Sequence, residues 1–350
     1  MGARAPPLGL QTWIPEFFGD VATVNGKIMP NLAVDRGKYR FRVYNGSQAR
    51  FYNLKLKISS GVIVPFFQIG TDGGLLNAPV ALTKLLLAPG ERADLVVDFA
   101  TLAAGTKVVL SNDANAPFPS GPTAVKRGGA PLPQIMRFTV TSKVGWTAPL
   151  PANLRARTAP VTRLAGLPVK ATKSIALVEV HDTAGVPLMV LLNNKNFAPD
   201  DNTMTVGTNT LEQWDFINTT VDAHPMHLHF AEFQVLNKQK FDAAGYLVAA
   251  YGVKPAGAPI WPVPNTGSSV PVAPFLKGSA YTPAPNEQGW KDTIVAMPGE
   301  VTRILVPFGA SPAGVTGPMA IGTSHVGKYV SHCHILEHEE NDMMLRYTIV

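Results

Sequence analysis

The sequence has little cysteine and little charge. Its 350 residues include one cysteine, and charged residues make up 15% of the chain. A single thiol cannot close an intrachain disulfide, so the cysteine count leaves the redox compartment open. The net charge of +6 is modest, and Lys and Arg are scattered along the chain, whereas nucleic-acid-binding proteins cluster them. We therefore expect no nucleic acid as a partner.

Long hydrophobic runs are also lacking. No apolar stretch reaches the roughly 18 to 20 residues that cross a bilayer. The start, MGARAPPLGLQTW, has no extended apolar segment of the kind found in secretory signals. We expect no membrane partner, whereas the cellular location stays open.

What the sequence does contain favours short strands. Glycine and proline number 31 each, which is typical of a chain with many turns. The stretch KYRFRVYN (38–45) alternates apolar and basic residues, as half-buried strands do. Asn25-Gly26 suits a hairpin turn. TDGGLL (71–76) is interpreted as a tight turn, because it lacks the Lys-Ser/Thr of a phosphate-binding loop.

These patterns predict an all-β protein of two antiparallel β-sandwich or barrel domains. The predicted domains cover residues 1–141 and 173–350, and a Pro- and Ala-rich linker over 142–172 joins them. Within the second domain, residues 252–289 are dense in Pro, Gly and Ser. So long a loop is expected to be functional or mobile.

Six of the eight histidines fall in two short segments, HPMHLH (224–229) and HCHILEH (332–338). Any one of them is readily explained as an ordinary hydrogen-bonded residue. Six of them concentrated with the sole cysteine, Cys333, favour a role in metal binding instead.

The alternation of side chains along a strand sharpens this prediction. Successive side chains point to opposite faces, so His332 and His334 face one side and Cys333 faces the other. His227 and His229 likewise share a face. The spacing therefore predicts two metal centres on opposite sides of one strand.

On the cysteine side, a thiolate, imidazoles and a distant thioether are typical of copper electron-transfer sites. Spacing supplies the candidate ligands Cys333, His338 and Met343, together with His224 from the other segment. Zinc also accepts cysteine and histidine, but a His-Cys-His stretch with a following methionine favours copper. On the opposite face, four imidazoles are compatible with copper, iron or zinc.

The segments HPMHLH, GWKDTI (289–294) and HCHILEHEENDMM (332–344) resemble the multicopper oxidases, in particular the branch of the bacterial spore-coat laccase and bilirubin oxidase. VNGKIMPNLAVDRGKYRFRVYNGSQARFYNL (24–54) is similar to the second domain of that branch, and the resemblance extends over about residues 11–350. It implies cupredoxin-like Greek-key domains and a copper-dependent, laccase-type oxidoreductase with oxygen as acceptor.

The resemblance also implies roles for residues. Electrons from a phenolic or other aromatic donor would pass through Cys333 to two histidines. Four electrons delivered in this way would reduce one dioxygen molecule to water. Glu339 matches an acidic position that assists protons or dioxygen, although a solvated loop carboxylate explains it equally well. Asp292 is expected to hold local structure. The implied copper ligands are His224, Cys333, His338 and axial Met343 for type 1, His227 for type 2, and His229, His332 and His334 for the type 3 pair.

The chain departs from the family pattern at the trinuclear site. That site takes eight histidines, four of them from two His-x-His motifs of an N-terminal cupredoxin domain, and this sequence has no such additional motifs. His181 and His325 stand alone. We expect an N-terminally truncated three-domain enzyme with one full type 1 site and half a trinuclear site, completed by self-association. The alternatives are a blue-copper electron-transfer module that does not reduce dioxygen, and a remnant whose sites stay empty.

Overall fold

The structure, a computed structural model, describes residues 15–121, 132–156, 159–201, 203–309 and 325–350. These residues form two compact units. One spans residues 18–161, and the other spans residues 162–350 together with 15–17. Strands dominate both units, so the all-β prediction is confirmed. Within the described ranges, no helix is long and apolar enough to cross a membrane.

The first unit consists of a small hairpin and two larger sheets. Its hairpin is β1-β2, and the larger sheets have the strand orders β4-β10-β7-β8 and β3-β12-β11-β5-β6, with β9 also paired to β5. The strands are β1 (Thr23–Val24), β2 (Lys27–Ile28), β3 (Asn31–Arg36), β4 (Lys38–Tyr44), β5 (Tyr52–Ile58), β6 (Ile63–Val64), β7 (Phe66–Thr71), β8 (Gly74–Leu82), β9 (Leu85–Leu87), β10 (Arg92–Asp98), β11 (Lys107–Asn112) and β12 (Gln134–Val144).

Local sequence explains the turns and the alternation in this unit. Asn25 and Gly26 have φ of 50° and 78°, the conformation that a tight hairpin requires, and they connect β1 to β2. The stretch TDGGLL forms the predicted tight turn between β7 and β8. From β4, Phe41 packs against a buried core that includes Leu56 and Phe138 of one sheet and Leu95 of the other.

The second unit consists of two sheets with the orders β14-β13-β16-β21-β18, with β19 also on β13, and β15-β23-β22-β17-β20. Its strands are β13 (Ala171–Asp182), β14 (Pro187–Leu192), β15 (Thr205–Val206), β16 (Thr210–Asn218), β17 (His224–Leu228), β18 (Gln234–Lys240), β19 (Ile260–Trp261), β20 (Thr293–Ala296), β21 (Glu300–Phe308), β22 (Gly327–Cys333) and β23 (Met344–Ile349). The helices are α1 (Ala243–Tyr251), α2 (Leu336–Glu339) and two 3-10 turns, Ala273–Phe275 and Pro285–Glu287.

Three pairs among these strands are parallel, where the sequence predicted antiparallel pairing: β3 with β12, β13 with β16, and β15 with β23. Parallel neighbours cannot be joined by a tight turn and require a long connection through other elements. Local alternation is the same for both kinds of pair, so it does not reveal which partner a strand takes.

Helix α1 was not predicted. Asp242 begins it by accepting a hydrogen bond from the backbone of the first turn, and Tyr246 and Ala250 are buried on one side. Its residues are nearly all apolar, so they lack the periodic pattern of an amphipathic helix. The loop that follows, residues 252–289, is anchored in part, because the Asn194 side-chain amide donates to two of its carbonyls.

Aromatic side chains join the two sheets of the second unit. Trp214 of β16 lies edge-on to Tyr347 of β23, with 5.3 Å between ring centroids, and Phe308 of β21 lies 6.0 Å from Trp214. All three rings are fully buried. This cluster holds the sheet that contains β17 and β22 against its neighbour.

We expect Trp214→Ala to lower the free energy of unfolding by about 3–5 kcal/mol, because it removes a buried aromatic side chain and leaves a cavity. Urea unfolding of the metal-free protein followed by circular dichroism measures this change. Trp146→Ala is the control: Trp146 is 53% exposed, with Lys38 over its ring, and its loss should cost about 1 kcal/mol or less. Equal losses for the two variants would contradict the assignment of Trp214 to the core.

Candidate metal centre

The candidate centre is built on two neighbouring strands of the second unit, β17 and β22. They pair antiparallel, with Met226 opposite Cys333 and His227 opposite His332. Because side chains alternate along each strand, this register puts His227 and His332 on one face and Cys333 on the other. The pairing therefore creates two groups of side chains that are placed to hold metal ions.

The first group surrounds the cysteine. Cys333 Sγ lies 3.7 Å from His224 Nδ1 and 3.6 Å from His338 Nδ1. All three side chains are buried, with exposures of 0–2%. Met343, the predicted axial ligand, is also fully buried, and its backbone is hydrogen-bonded to Cys333 and His338. The ligand atoms of His224, Cys333 and His338 are thus brought together, and Met343 is tied to two of these residues through its backbone.

In both imidazoles Nδ1 faces the sulfur, and Nε2, the outer nitrogen, points away from it. The outer nitrogens of His224 and His338 have different partners. The Thr220 hydroxyl lies 2.7 Å from His224 Nε2 and donates to Asn218 Oδ1 at 2.8 Å. A hydroxyl that donates to Asn218 accepts from His224, which makes Nε2 the protonated nitrogen and leaves the Nδ1 lone pair toward the sulfur. The outer nitrogen of His338 lies 3.7 Å from Glu16 Oε1.

Burial controls the protonation of this group. It lowers the pKa of His224 to about 3 and that of His338 well below its usual value, so both imidazoles are neutral near pH 7. Burial raises the pKa of the Cys333 thiol, and the charges of Glu16 and Glu339 add to this effect. Neutral imidazoles are ready metal ligands, and a thiol in such surroundings loses its proton to a bound metal ion.

The second group consists of imidazoles on the opposite face. The Nε2 atoms of His229 and His332 are 3.0 Å apart, and His227 completes a set whose ligand atoms lie within 4.8 Å of one another. The ring of His334 lies 5.7 Å from the rings of His227 and His332. In contrast to the cysteine side, this face is partly open: His332 is 3% exposed, whereas His229 is exposed.

Hydrogen bonds orient two of these imidazoles. His227 Nδ1 donates to the Asp292 carbonyl at 2.9 Å, so its Nε2 lone pair points into the group. His332 Nδ1 lies 3.0 Å from the Cys333 carbonyl and 3.2 Å from Glu339 Oε2, and two acceptors there require a proton on Nδ1. Burial alone raises the pKa of the Glu339 carboxyl, but the hydrogen bond with His332 and the nearby imidazoles of His332, His334 and His229 together lower the net pKa.

Both groups fit bound metal ions chemically. Within the described part of the chain, His334 Nδ1 is buried and has no hydrogen-bond partner, which leaves this nitrogen available to a metal ion. A thiolate, two imidazoles and a thioether form the donor set of a copper electron-transfer site. The remaining histidines lie outside both groups: His181 Nε2 is 3.4 Å from Glu179 Oε2, and the His325 ring packs against an aromatic neighbour.

Comparison with known proteins identifies the family. A model of the multicopper oxidases matches residues 168–350, which is more than half of the chain and includes both groups of ligands. The chain belongs to the multicopper oxidase family. This family binds copper, so the cysteine and histidine groups are candidate copper ligands.

Individual relatives agree with the family assignment. The chain is 36% identical to a laccase of Bacillus subtilis, over 97% of this chain and 56% of that protein. It is 36% identical to multicopper oxidase LPR1 of Arabidopsis thaliana, over 95% of this chain and 53% of that protein. The crystal structure of the multicopper oxidase McoA of Aquifex aeolicus superimposes with a TM-score of 0.67 at 26% identity, covering 95% of this chain and 60% of that one. The chain thus spans about half the length of the curated relatives it matches.

The sequence did not predict which residues support the ligand histidines through their second ring nitrogen. Thr220 lies four positions before His224, but a threonine at that spacing is too common to single out. Thr293, whose hydroxyl lies 3.0 Å from His227 Nδ1, belongs to the GWKDTI segment and directly follows Asp292. Glu16 reaches His338 from the opposite end of the chain, so no local pattern links them.

We expect Thr220→Val to weaken copper binding by about 10- to 100-fold, because His224 loses the partner that fixes its protonated nitrogen. Competition with a chelator of known affinity measures this change. Thr219→Val is the matched control, since that hydroxyl donates to the Leu177 carbonyl and touches no ligand. If Thr219→Val weakened copper binding as much as Thr220→Val, the role given to Thr220 would be wrong.

Proposed function

We propose that this chain provides the donor-oxidising part of a laccase-type copper oxidoreductase. In this proposal, phenolic or other aromatic donors give electrons to a type 1 site, and dioxygen is the final acceptor at a trinuclear site of which this chain supplies half. The observation that carries the proposal is the sulfur of Cys333 facing two buried imidazoles while its chain neighbour His332 belongs to the opposite group. The proposed ligands are His224, Cys333, His338 and Met343 for type 1 copper, and His227, His229, His332 and His334 for the trinuclear site.

Bound copper would supply a one-electron acceptor on the thiolate side and an oxygen-reducing centre on the imidazole side. The chain itself supplies the connection between them. From Cys333, the backbone leads directly to His334, and the Cys333 carbonyl accepts a hydrogen bond of 3.0 Å from His332. These two short routes support electron transfer from the buried group to the partly open one.

We also propose a role for Glu339. Its carboxylate lies 3.2 Å from His332 Nδ1, which supports a function in orienting that imidazole. Its side chain is 30% exposed, so it can also exchange protons with solvent. Both properties suit a residue that assists proton delivery at the imidazole group, and neither requires it to bind metal.

The open imidazole face supports a second candidate, a blue-copper electron-transfer module. His229 is exposed, and across the described residues no other histidine or cysteine joins this group. The missing ligands would have to come from outside this set, and self-association is the route that the sequence predicts.

For the whole chain, we further propose two domains, residues 1–141 and 173–350, joined by a linker over 142–172.

Dioxygen uptake by the copper-loaded protein with a methoxyphenol as donor tests the main proposal. We expect measurable uptake, and a rate lower by more than about 100-fold in His229→Asn. Loss of a residue that supports a ligand lowers activity by about 10- to 100-fold, and loss of the ligand itself should lower it further. His181→Asn, a histidine outside both groups, is the matched control and should keep its rate.

Two other results would change the assignment. If the protein binds close to one copper per chain and is reduced by the phenol without oxygen uptake, the electron-transfer module is correct and the oxidase is not. Equal rates in His229→Asn and the unmodified protein would mean that the imidazole group takes no part in oxygen reduction.

A further inference from the structure

The two imidazoles that face Cys333 are supported unequally. His224 Nε2 meets a neutral hydroxyl, that of Thr220, at 2.7 Å. His338 Nε2 instead meets a carboxylate, with Glu16 Oε1 at 3.7 Å. The contact is shielded from water, because the side chains of His338 and Glu16 are 2% and 9% exposed. Of the two imidazoles, His338 is therefore the one whose outer nitrogen lies beside a carboxylate.

We propose that Glu16 is a positioning residue that holds His338 with Nδ1 toward the sulfur and, through its negative charge, lowers the reduction potential of the copper centre. This inference rests on the proposed type 1 site. A carboxylate beside the outer nitrogen of a histidine favours a proton on that nitrogen and makes the imidazole a stronger electron donor. The stronger donation and the negative charge both favour the more highly charged, oxidised metal ion over the reduced one.

The low exposure makes the charge effective. An interaction between charges at a water-filled surface is strongly screened, whereas the same interaction in a buried place is several times larger. Helix α2 carries two further carboxylates, those of Glu337 and Glu339. Glu339 faces His332 on the opposite side of the strand. In contrast, Glu16 Oε1 lies 3.7 Å from the outer nitrogen of the proposed type 1 ligand His338.

Glu16→Gln separates charge from packing, because it keeps the size of the side chain and removes the charge. Redox titration of the copper-loaded full chain, followed by its thiolate-to-copper absorption, should show Glu16→Gln reduced more readily than the unmodified protein. We expect the equilibrium constant for reduction to rise by about 10- to 100-fold, the range expected for one buried charge close to the metal.

Two further variants complete the test. Glu16→Asp keeps the charge and should stay within about threefold of the unmodified protein, a smaller change than that of the glutamine variant. Asp20→Asn removes the same charge from an exposed residue nearby in sequence and should have almost no effect, since exposed charges are screened. Circular dichroism checks that each variant is folded.

The possible failures are distinguishable. If the unmodified protein has the absorption but Glu16→Gln titrates like it, or if Asp20→Asn shifts the equilibrium as much, the role of Glu16 is wrong while the copper site stands. If the unmodified protein lacks the absorption altogether, the proposed type 1 site fails, and the inference about Glu16 fails with it.

Discussion

The antiparallel pairing of β17 with β22 is the constraint on which both groups of ligands depend. It sets Met226 opposite Cys333 and His227 opposite His332. A shift of one residue would turn every side chain of one strand to the other face, and the sulfur would then meet the wrong imidazoles. The buried contacts of Trp214 with Tyr347 hold this sheet on its neighbour and so help to keep the register.

The two faces of the pair differ in their surroundings, and this difference suits two different tasks. The sulfur side is buried, and its two imidazoles are neutral at pH 7. Burial and fixed ligand orientation are properties that suit the proposed electron-transfer site. The imidazole side is partly open, because His229 is exposed, and its ligand set is accessible from outside these two strands.

The part of the site that follows from strand alternation was predictable. Two His-x-His segments and one cysteine between histidines predict two faces, and the turn at Asn25-Gly26 follows from residues that accept positive φ. The supports of the ligands were not predictable. Glu16 and His338 meet only because the folded chain brings its two ends together, and no local pattern encodes that contact. The parallel pairs and helix α1 were missed for a related reason, since the choice of partner and an evenly apolar helix leave no periodic signal.

The central claim is that Cys333 binds copper as a thiolate together with His224 and His338. The most direct measurement is the visible absorption of the copper-loaded protein before and after Cys333→Ser, with copper content determined for both. The account predicts an intense thiolate-to-copper absorption that disappears in the serine variant, because an alkoxide or hydroxyl oxygen cannot provide the same charge transfer. If the absorption persists unchanged in Cys333→Ser, the sulfur is not a ligand, and the assignment of both copper sites must be abandoned.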